Sequence, residues 1–354
     1  MGYDRAQRVR RAPQYIIGTV SRRTPVCANS LEGHTFPPNH NRLLPLIVIA
    51  GPTGSGKTAL ALRIAMIFEG EIVNCDSLQL YRGFDIGTAK TAPGDRQGIP
   101  HHLFDALPPQ DGYSAGEYAK AAREVLAEIS ARGRLPLVVG GTGFYLRALL
   151  KGLPALPARD EAVRSRLLQR EERRPGSLHK ILSRLDPESA KRIHSRDVQK
   201  LIRAVEVRLL TSAPRPEPDS AAPLQGYRTL ILGLDPDHAL LAERLEQRTR
   251  QMSARGLLEE VRGLLAQGLS GDEKPFEALG YKQALEVVRG LCSLEQAIES
   301  TIIATRKYAK RQRTWFRREA AVEWINGFGD ENACQQFAIV TITNWLASTG
   351  ILFS

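Results

Sequence analysis

From about Leu46 onward, short runs of consecutive apolar residues alternate with longer stretches in which apolar positions recur every three or four residues. Apolar runs too short for a helix predict buried strands, and their alternation with amphipathic stretches predicts parallel strands joined by crossover helices. Four strands are expected, in LIVIA (46–50), EIVNC (71–75), LPLVVG (135–140) and TLILGL (229–234). Each runs into a polar or glycine-rich segment. Those segments should share the carboxyl edge of the sheet, where doubly wound folds hold their ligands.

The pattern changes between residues 153 and 212, where strands stop and charge-dense helical stretches take over, from ARDEAVRSRLLQREER to PESAKRIHSRDVQKLIRAVEVRLL. This reads as a helical subdomain inserted into an α/β core made of 43–152 and 224–330. The Pro-rich APRPEPDSAAP, 213–223, is the linker back to the sheet. Residues 331–354 form a tail containing QQFAIVTITNWLASTGILFS, broken by Gln, Thr and Asn, which is expected to pack as a helix or fray. No uninterrupted apolar run approaches the ~20 residues that span a bilayer. Residues 1–42 are arginine-rich with only Asp4 and Glu32 as acids, and they read as disordered. Their composition suits an organellar transit segment or, the favoured reading, an extension from an upstream start codon.

The chain of 354 residues, 42% hydrophobic, is long enough for a sizeable core, and its formal charge of +11 suggests a polyanionic partner. Cys27, Cys75, Cys292 and Cys334 form no CxxC pair, so a disulfide framework or zinc site is not indicated and a reducing compartment fits.

The most specific signal is GPTGSGKT, 51–58, between the first strand and an amphipathic stretch. Gly51, Gly54 and Gly56, with Pro52, Thr53 and Ser55 between them, let the backbone aim several N–H groups at one anion. Lys57 adds a point charge, the Thr58 hydroxyl can ligate Mg²⁺, and the helix dipole adds attraction. An ATPase of this class also keeps an acid at a neighbouring strand end. LPLVVGG instead runs into Gly-Gly-Thr. Asp235, before Pro236, reads as a turn or helix-capping residue. Asp76, directly after EIVNC, is placed to ligate a metal indirectly or to accept a proton.

Further along, Leu241, Leu245 and Met252 form an apolar stripe into which Arg248 falls, so this cation faces either a structural carboxylate or a phosphate. In ATRKYAKRQRTWFRREAAVEWI, Arg306, Lys310, Arg313 and Arg317 share a stripe flanked by Lys307, Arg311 and Arg318, with Tyr308, Trp315 and Phe316 interleaved. No acid interrupts 305–318, which points to nucleic-acid contact. His101 and His102 in PHHLFD lack further ligands at metal-binding spacing and read as structural.

In order, GPTGSGKT, DSLQLYRGFDIGTAK, PHHLFD, YSAGEY, RLPLVVGGTGFYLRALLKGL, DVQKLIRAVEV, LEQRTRQM, ALGYKQAL and TRKYAKRQRTWFR resemble the tRNA dimethylallyltransferases, or tRNA isopentenyltransferases, in their bacterial form. The resemblance implies a P-loop NTPase-like α/β fold whose loop grips the diphosphate of dimethylallyl diphosphate, with Mg²⁺ on Thr58. It implies prenyl transfer to the exocyclic amine of the adenosine just 3′ of the anticodon. Asp76 then acts as base or hydrogen-bond acceptor, and Thr142, Arg248 and Lys57 stabilise the departing diphosphate. Asp76, Ser77, Leu78 and Gln79, Arg164, Gln199, Lys200, Leu201, Ile202 and Arg203, and Glu277, Ala278, Leu279, Gly280, Tyr281 and Lys282 match family positions that touch tRNA. The inserted helices clamp the anticodon stem-loop, and the target base is extruded into a channel opposite the donor. Lys200 stands where the family usually has arginine, and Thr91 where proline commonly follows GTAK. A cytoplasmic monomer without membrane contact is implied. The competing readings are a P-loop kinase for a metabolite or nucleotide and a noncatalytic RNA-binding protein with a degenerate P-loop.

Overall fold

Residues 46–50 of β1 (Leu44–Ala50) are buried because both faces of this strand are covered, which is why the run is uniformly apolar. In the computed structural model, which describes residues 43–154, 156–211, 222–319 and 321–348, β1 lies within a six-stranded sheet. The other strands are β2 (Gly70–Asn74), β3 (His101–His102), β4 (Leu135–Gly140), β5 (Tyr227–Leu234) and β6 (Val322–Ile325). Their spatial order is β3-β2-β4-β1-β5-β6, and every neighbouring pair is parallel. This is the P-loop NTPase-like arrangement expected from the sequence.

Register brings the functional loops together. Ala50 aligns with Gly140 and Gly233, and Asn74 aligns with Val139, so the segments after β1, β2, β4 and β5 leave one edge of the sheet. Alternation along β1 sends Leu46, Val48 and Ala50 toward α2 (Ala115–Ala131) and α3 (Gly143–Lys151). Ile47 and Ile49 face α1 (Lys57–Ile67) and α12 (Asn332–Ser348) on the other side.

The stretch expected to be an inserted subdomain forms α4 (Glu161–Arg173), α5 (Ser177–Leu185), α6 (Pro187–Arg192) and α7 (Val198–Leu210). These helices bury their own cluster, including Leu178, Leu182, Leu201 and Val205. A carboxylate, Glu206, is fully buried beneath them. It accepts from the Asp160 N–H (2.7 Å) and Arg203 Nη1 (2.8 Å) and pairs with Arg164 (3.4 Å), so its charge is met on both oxygens.

After β5, α8 (His238–Ala254), α9 (Leu257–Ala266), α10 (Tyr281–Val288) and α11 (Leu294–Phe316) close over the carboxyl edge. Of the segments with sequence-based expectations, 1–42, 212–221 and 349–354 lie outside the described residues. The tail from 332 to 348 packs as a helix. Cys334, Ala338, Ile342 and Leu346 recur every four residues and are buried against the α1 face of the sheet.

Because Ile342 is fully buried, Ile342→Ala should lower the unfolding free energy by about 3 kcal/mol. The exposed Thr343→Ala should change it by less than about 0.5 kcal/mol. Urea denaturation distinguishes the two, and equal effects would mean that α12 is not packed as described.

Candidate active site

The anion cradle, 51–58, leaves β1 and ends in the first turn of α1. Gly56 caps this helix at φ +85°, and a Cβ there would lie 2.6 Å from Asp330 Oδ1, so both the turn and its packing require glycine. Lys57 Nζ donates to the carbonyls of Gly51 (3.1 Å) and Pro52 (2.8 Å). Burial lowers the Lys57 pKa to about 8, with Asp76 opposing the shift and Arg248 adding to it. Thr58 is exposed and lines the cavity beside Lys57. Among the described residues, no group of three or more His, Cys, Asp or Glu side chains is placed to hold a metal ion. The Thr58 hydroxyl would fit an ion whose other ligands come mainly from phosphate oxygens and water.

Asp76 follows β2 and is fixed through its own backbone. Its N–H donates to Asn74 Oδ1 (2.9 Å), and its carbonyl accepts from Asn74 Nδ2 (3.1 Å). The carboxylate Oδ1 accepts from the Leu78 N–H (2.9 Å), while Oδ2 takes no hydrogen bond among the described residues. Thr142 caps the start of α3 from the neighbouring loop, and its hydroxyl oxygen accepts from the Ser77 N–H (3.2 Å). It supports the Asp76 turn and lines neither of the two cavities below.

Two cavities meet at this point. One, about 500 Å³, is lined by the cradle (Thr53, Gly54, Gly56, Lys57, Thr58), with Arg244 and Gln79. The other, about 430 Å³, is largely apolar and runs between α8, α10 and α11 past Leu245, Met252, Leu279 and Tyr308. Thr53, Asp76, Thr88 and Arg248 belong to both. Arg248 forms no salt bridge with a described residue, which leaves the phosphate alternative for this cation. Burial lowers its pKa, partly offset by Asp76.

The structure redistributes the basic helix. Arg313 is buried and pairs with Asp235, Arg317 pairs with the same carboxylate (2.7 Å), and Arg306 pairs with Glu246 (2.8 Å). The exposed cationic face consists instead of Lys307, Lys310, Arg311 and Arg318, grouped around Thr314 and Trp315. Asp235 is thus an ion-pair partner, and Asp237 is the residue that caps α8 through its bonds to the N–H groups of Ala239 and Leu240.

Other positions matched to the family's tRNA contacts also divide. Ser77, Leu78, Glu277, Ala278, Leu279 and Gly280 line the apolar cavity. Gln199, Lys200 and Lys282 are exposed, with Lys200 held to Asp197 at 2.5 Å. Arg164 and Arg203 are committed to Glu206. The side chains of Leu201, Ile202 and Tyr281 are buried, at 0%, 2% and 0% exposure. Tyr281 donates to Glu260 and accepts from the Gly87 N–H, bracing the GTAK loop.

That loop explains its own motif. Lys90 Nζ, almost fully buried, donates to Asp85 (2.6 Å), to Asp105 (2.6 Å) and to the Tyr81 carbonyl (2.7 Å). His102 bonds Glu71 (2.7 Å), and His101 Nδ1 lies 2.8 Å from the Ile99 carbonyl. Sequence reasoning missed Gln312, a neutral residue inside a run of cations. Its amide reaches both the Thr53 N–H and the Gly141 carbonyl. A polar residue one position from Arg313 and one turn from Tyr308, on the apolar side of the helix, was the available signal.

The IPP transferase family model matches residues 79–319. The chain is 55% identical over 305 residues to the tRNA dimethylallyltransferase of Solibacter usitatus, spanning 86% of this chain and 99% of that protein. It is 52% identical over 292 residues to the protein of the same name from Koribacter versatilis, spanning 81% and 94%. Among solved structures, the tRNA isopentenylpyrophosphate transferase of Bacillus halodurans superposes with a TM-score of 0.63 at 35% identity, covering 86% of this chain and 96% of that one. A eukaryotic dimethylallyltransferase acting on tRNA gives a TM-score of 0.70 at 26% identity, covering 86% and 80%. A P-loop sheet with an inserted helical unit, matched over most of its length to these proteins, belongs to the IPP transferase family of tRNA-modifying prenyltransferases.

Proposed function

We propose that this enzyme transfers the dimethylallyl group of dimethylallyl diphosphate to the exocyclic amine of the adenosine 3′-adjacent to the anticodon of tRNA. The observation that carries the reading is Arg248, a desolvated guanidinium in no salt bridge with a described residue, shared by a phosphate-type cradle and an apolar cavity. An allylic diphosphate has this two-part chemistry. Its charged end suits the cradle, and its reacting carbon then lies beside Asp76, which faces both cavities.

In the reaction, the amine nitrogen attacks the allylic carbon as its bond to the diphosphate oxygen breaks. The electron pair leaves with the diphosphate, where Lys57, Arg248 and the cradle N–H groups meet the developing charge. The amine proton passes to the Asp76 carboxylate, whose unbonded Oδ2 is free to receive it. Thr142 holds this turn through Ser77. A Mg²⁺ ion held by Thr58 would offset charge on the diphosphate oxygens.

Lys307, Lys310 and Arg311 lie on the same helix as Tyr308, which lines the apolar cavity, and with Arg318 just past its end they form a cationic face that suits an RNA backbone approaching that opening. Exposed Gln199 and Lys200 on α7 would reach the anticodon stem. A cytoplasmic setting suits the free thiols of Cys75, Cys292 and Cys334.

Incubation with unmodified tRNA and labelled dimethylallyl diphosphate, without ATP, should yield prenylated adenosine after nuclease digestion. Label absent from RNA while ATP is consumed would favour a kinase instead. Asp76→Asn retains the turn-forming oxygen and should cut kcat by about 10²–10⁴-fold without abolishing binding of inorganic diphosphate. If its kcat is unchanged, Asp76 is not the base.

Diphosphate affinity should also depend on pH. In the free protein Lys57 titrates near 8, below its ordinary 10.5, and an anion prefers the protonated form. Binding of inorganic diphosphate should therefore weaken as pH rises above about 8. Across the window from 8 to 10.5 the unfolded chain binds more protons at this site than the native one, so the Lys57 contribution to stability rises with pH. Calorimetric titrations from pH 7 to 9.5 on wild type and Lys57→Met test this, and an identical pH slope in both would refute the assignment.

A further inference from the structure

Gln312 is 6% exposed, close to the C-terminal end of α11, and its carboxamide is spent on two backbone groups from different loops. Oε1 accepts from the Thr53 N–H at 2.8 Å, and Nε2 donates to the Gly141 carbonyl at 2.9 Å. Thr53 belongs to the anion cradle. Gly141 belongs to the loop after β4 that continues into Thr142 and, through Ser77, into the Asp76 turn. One side chain thus ties the half of the site that holds the leaving group to the half that holds the base.

The fit leaves no slack. A Cβ on Gly141 would lie 2.3 Å from Gln312 Nε2 and 3.3 Å from its Cδ, and Gly141 is not among the residues with positive φ. What excludes a side chain there is chiefly Gln312, with the Gly51 carbonyl 3.3 Å away as a lesser contact, rather than backbone conformation. Tyr308, one turn earlier on α11, lines the apolar cavity. The opposite face of the helix carries the exposed cations.

We propose that Gln312 is a positioning residue for prenyl transfer, a strap that fixes the Thr53 peptide of the cradle relative to the Gly141–Thr142–Asp76 side of the site. This rests on the reading of the cradle as a diphosphate site. Only an amide serves both contacts, since one end accepts from an N–H while the other donates to a carbonyl. A carboxylate in its place would oppose the Gly141 carbonyl and repel the diphosphate. Loss of the strap frees the two loops to shift relative to each other, and displacements of about an ångström cost about 10²-fold in rate.

The test compares wild type with Gln312→Ala, Gln312→Glu and Gly141→Ala. Amide hydrogen exchange comes first. The Thr53 N–H should exchange at least about tenfold faster in Gln312→Ala, with the buried amides of β1 unchanged. Next, kcat should fall by about 10²-fold, with KM for tRNA changing less than about threefold, a split that general destabilisation would not give. Gly141→Ala should reproduce the loss, and the double variant Gly141→Ala/Gln312→Ala should be no worse than Gln312→Ala alone, because removing the carboxamide removes the clash.

Unchanged Thr53 exchange, or Gln312→Ala kinetics within twofold of wild type, overturns the strap. So do fully additive losses in the double variant. Failure of the wild-type protein to bind inorganic diphosphate overturns the reading of the cradle instead, and the exchange measurement separates the two outcomes.

Discussion

Placing Lys57 and Arg248 close together, with neither in a salt bridge with a described residue, is the constraint around which this molecule is organised. Like charges in a desolvated space repel, and burial lowers the pKa of each. The fold tolerates this because Lys57 is tethered to the Gly51 and Pro52 carbonyls and Asp76 supplies a nearby, partial counter-charge. The site is in effect electrostatically unfinished, and an anion with several negative oxygens completes it. In the proposed reaction, the same arrangement that costs stability would give affinity for a diphosphate and lower the barrier to its departure.

Helix α11 reconciles two tasks that usually conflict. Its inward side carries Gln312, Arg313 and Phe316, all buried, while its outward side carries cations free to meet a polyanion. Arg313 and Arg317 neutralise Asp235, the residue that follows β5.

Much of the sheet was legible because buried parallel strands leave apolar runs, and the cradle was legible because its spacing is dictated by backbone geometry. The edge strands were not. His101–His102 is two residues long, and Val-Glu-Trp-Ile is half-exposed, so neither produces a run. The chemistry of Arg248 could be posed from its place on an apolar stripe but not resolved, since a partner carboxylate depends on tertiary contacts. The stripe assigned to nucleic acid on α11 was rotated by about one position. Periodicity identifies faces of a helix but not which of them meets the core, and Asp235, distant in sequence, decides that. Leu201, Ile202 and Tyr281 show a related limit, because matching a motif does not reveal which of its members are packed inward.

The seating of the cradle carries a consequence for how the protein is made. Gly329 donates to the Ser55 carbonyl, Asp330 abuts Gly56 and is gripped by Arg244 through two 2.9 Å bonds, and α12 then covers α1. The floor beneath the anion site is therefore supplied by a stretch that lies far downstream of the cradle in sequence. During synthesis the cradle cannot be seated, nor the α12-facing side of α1 covered, until that downstream stretch has been made.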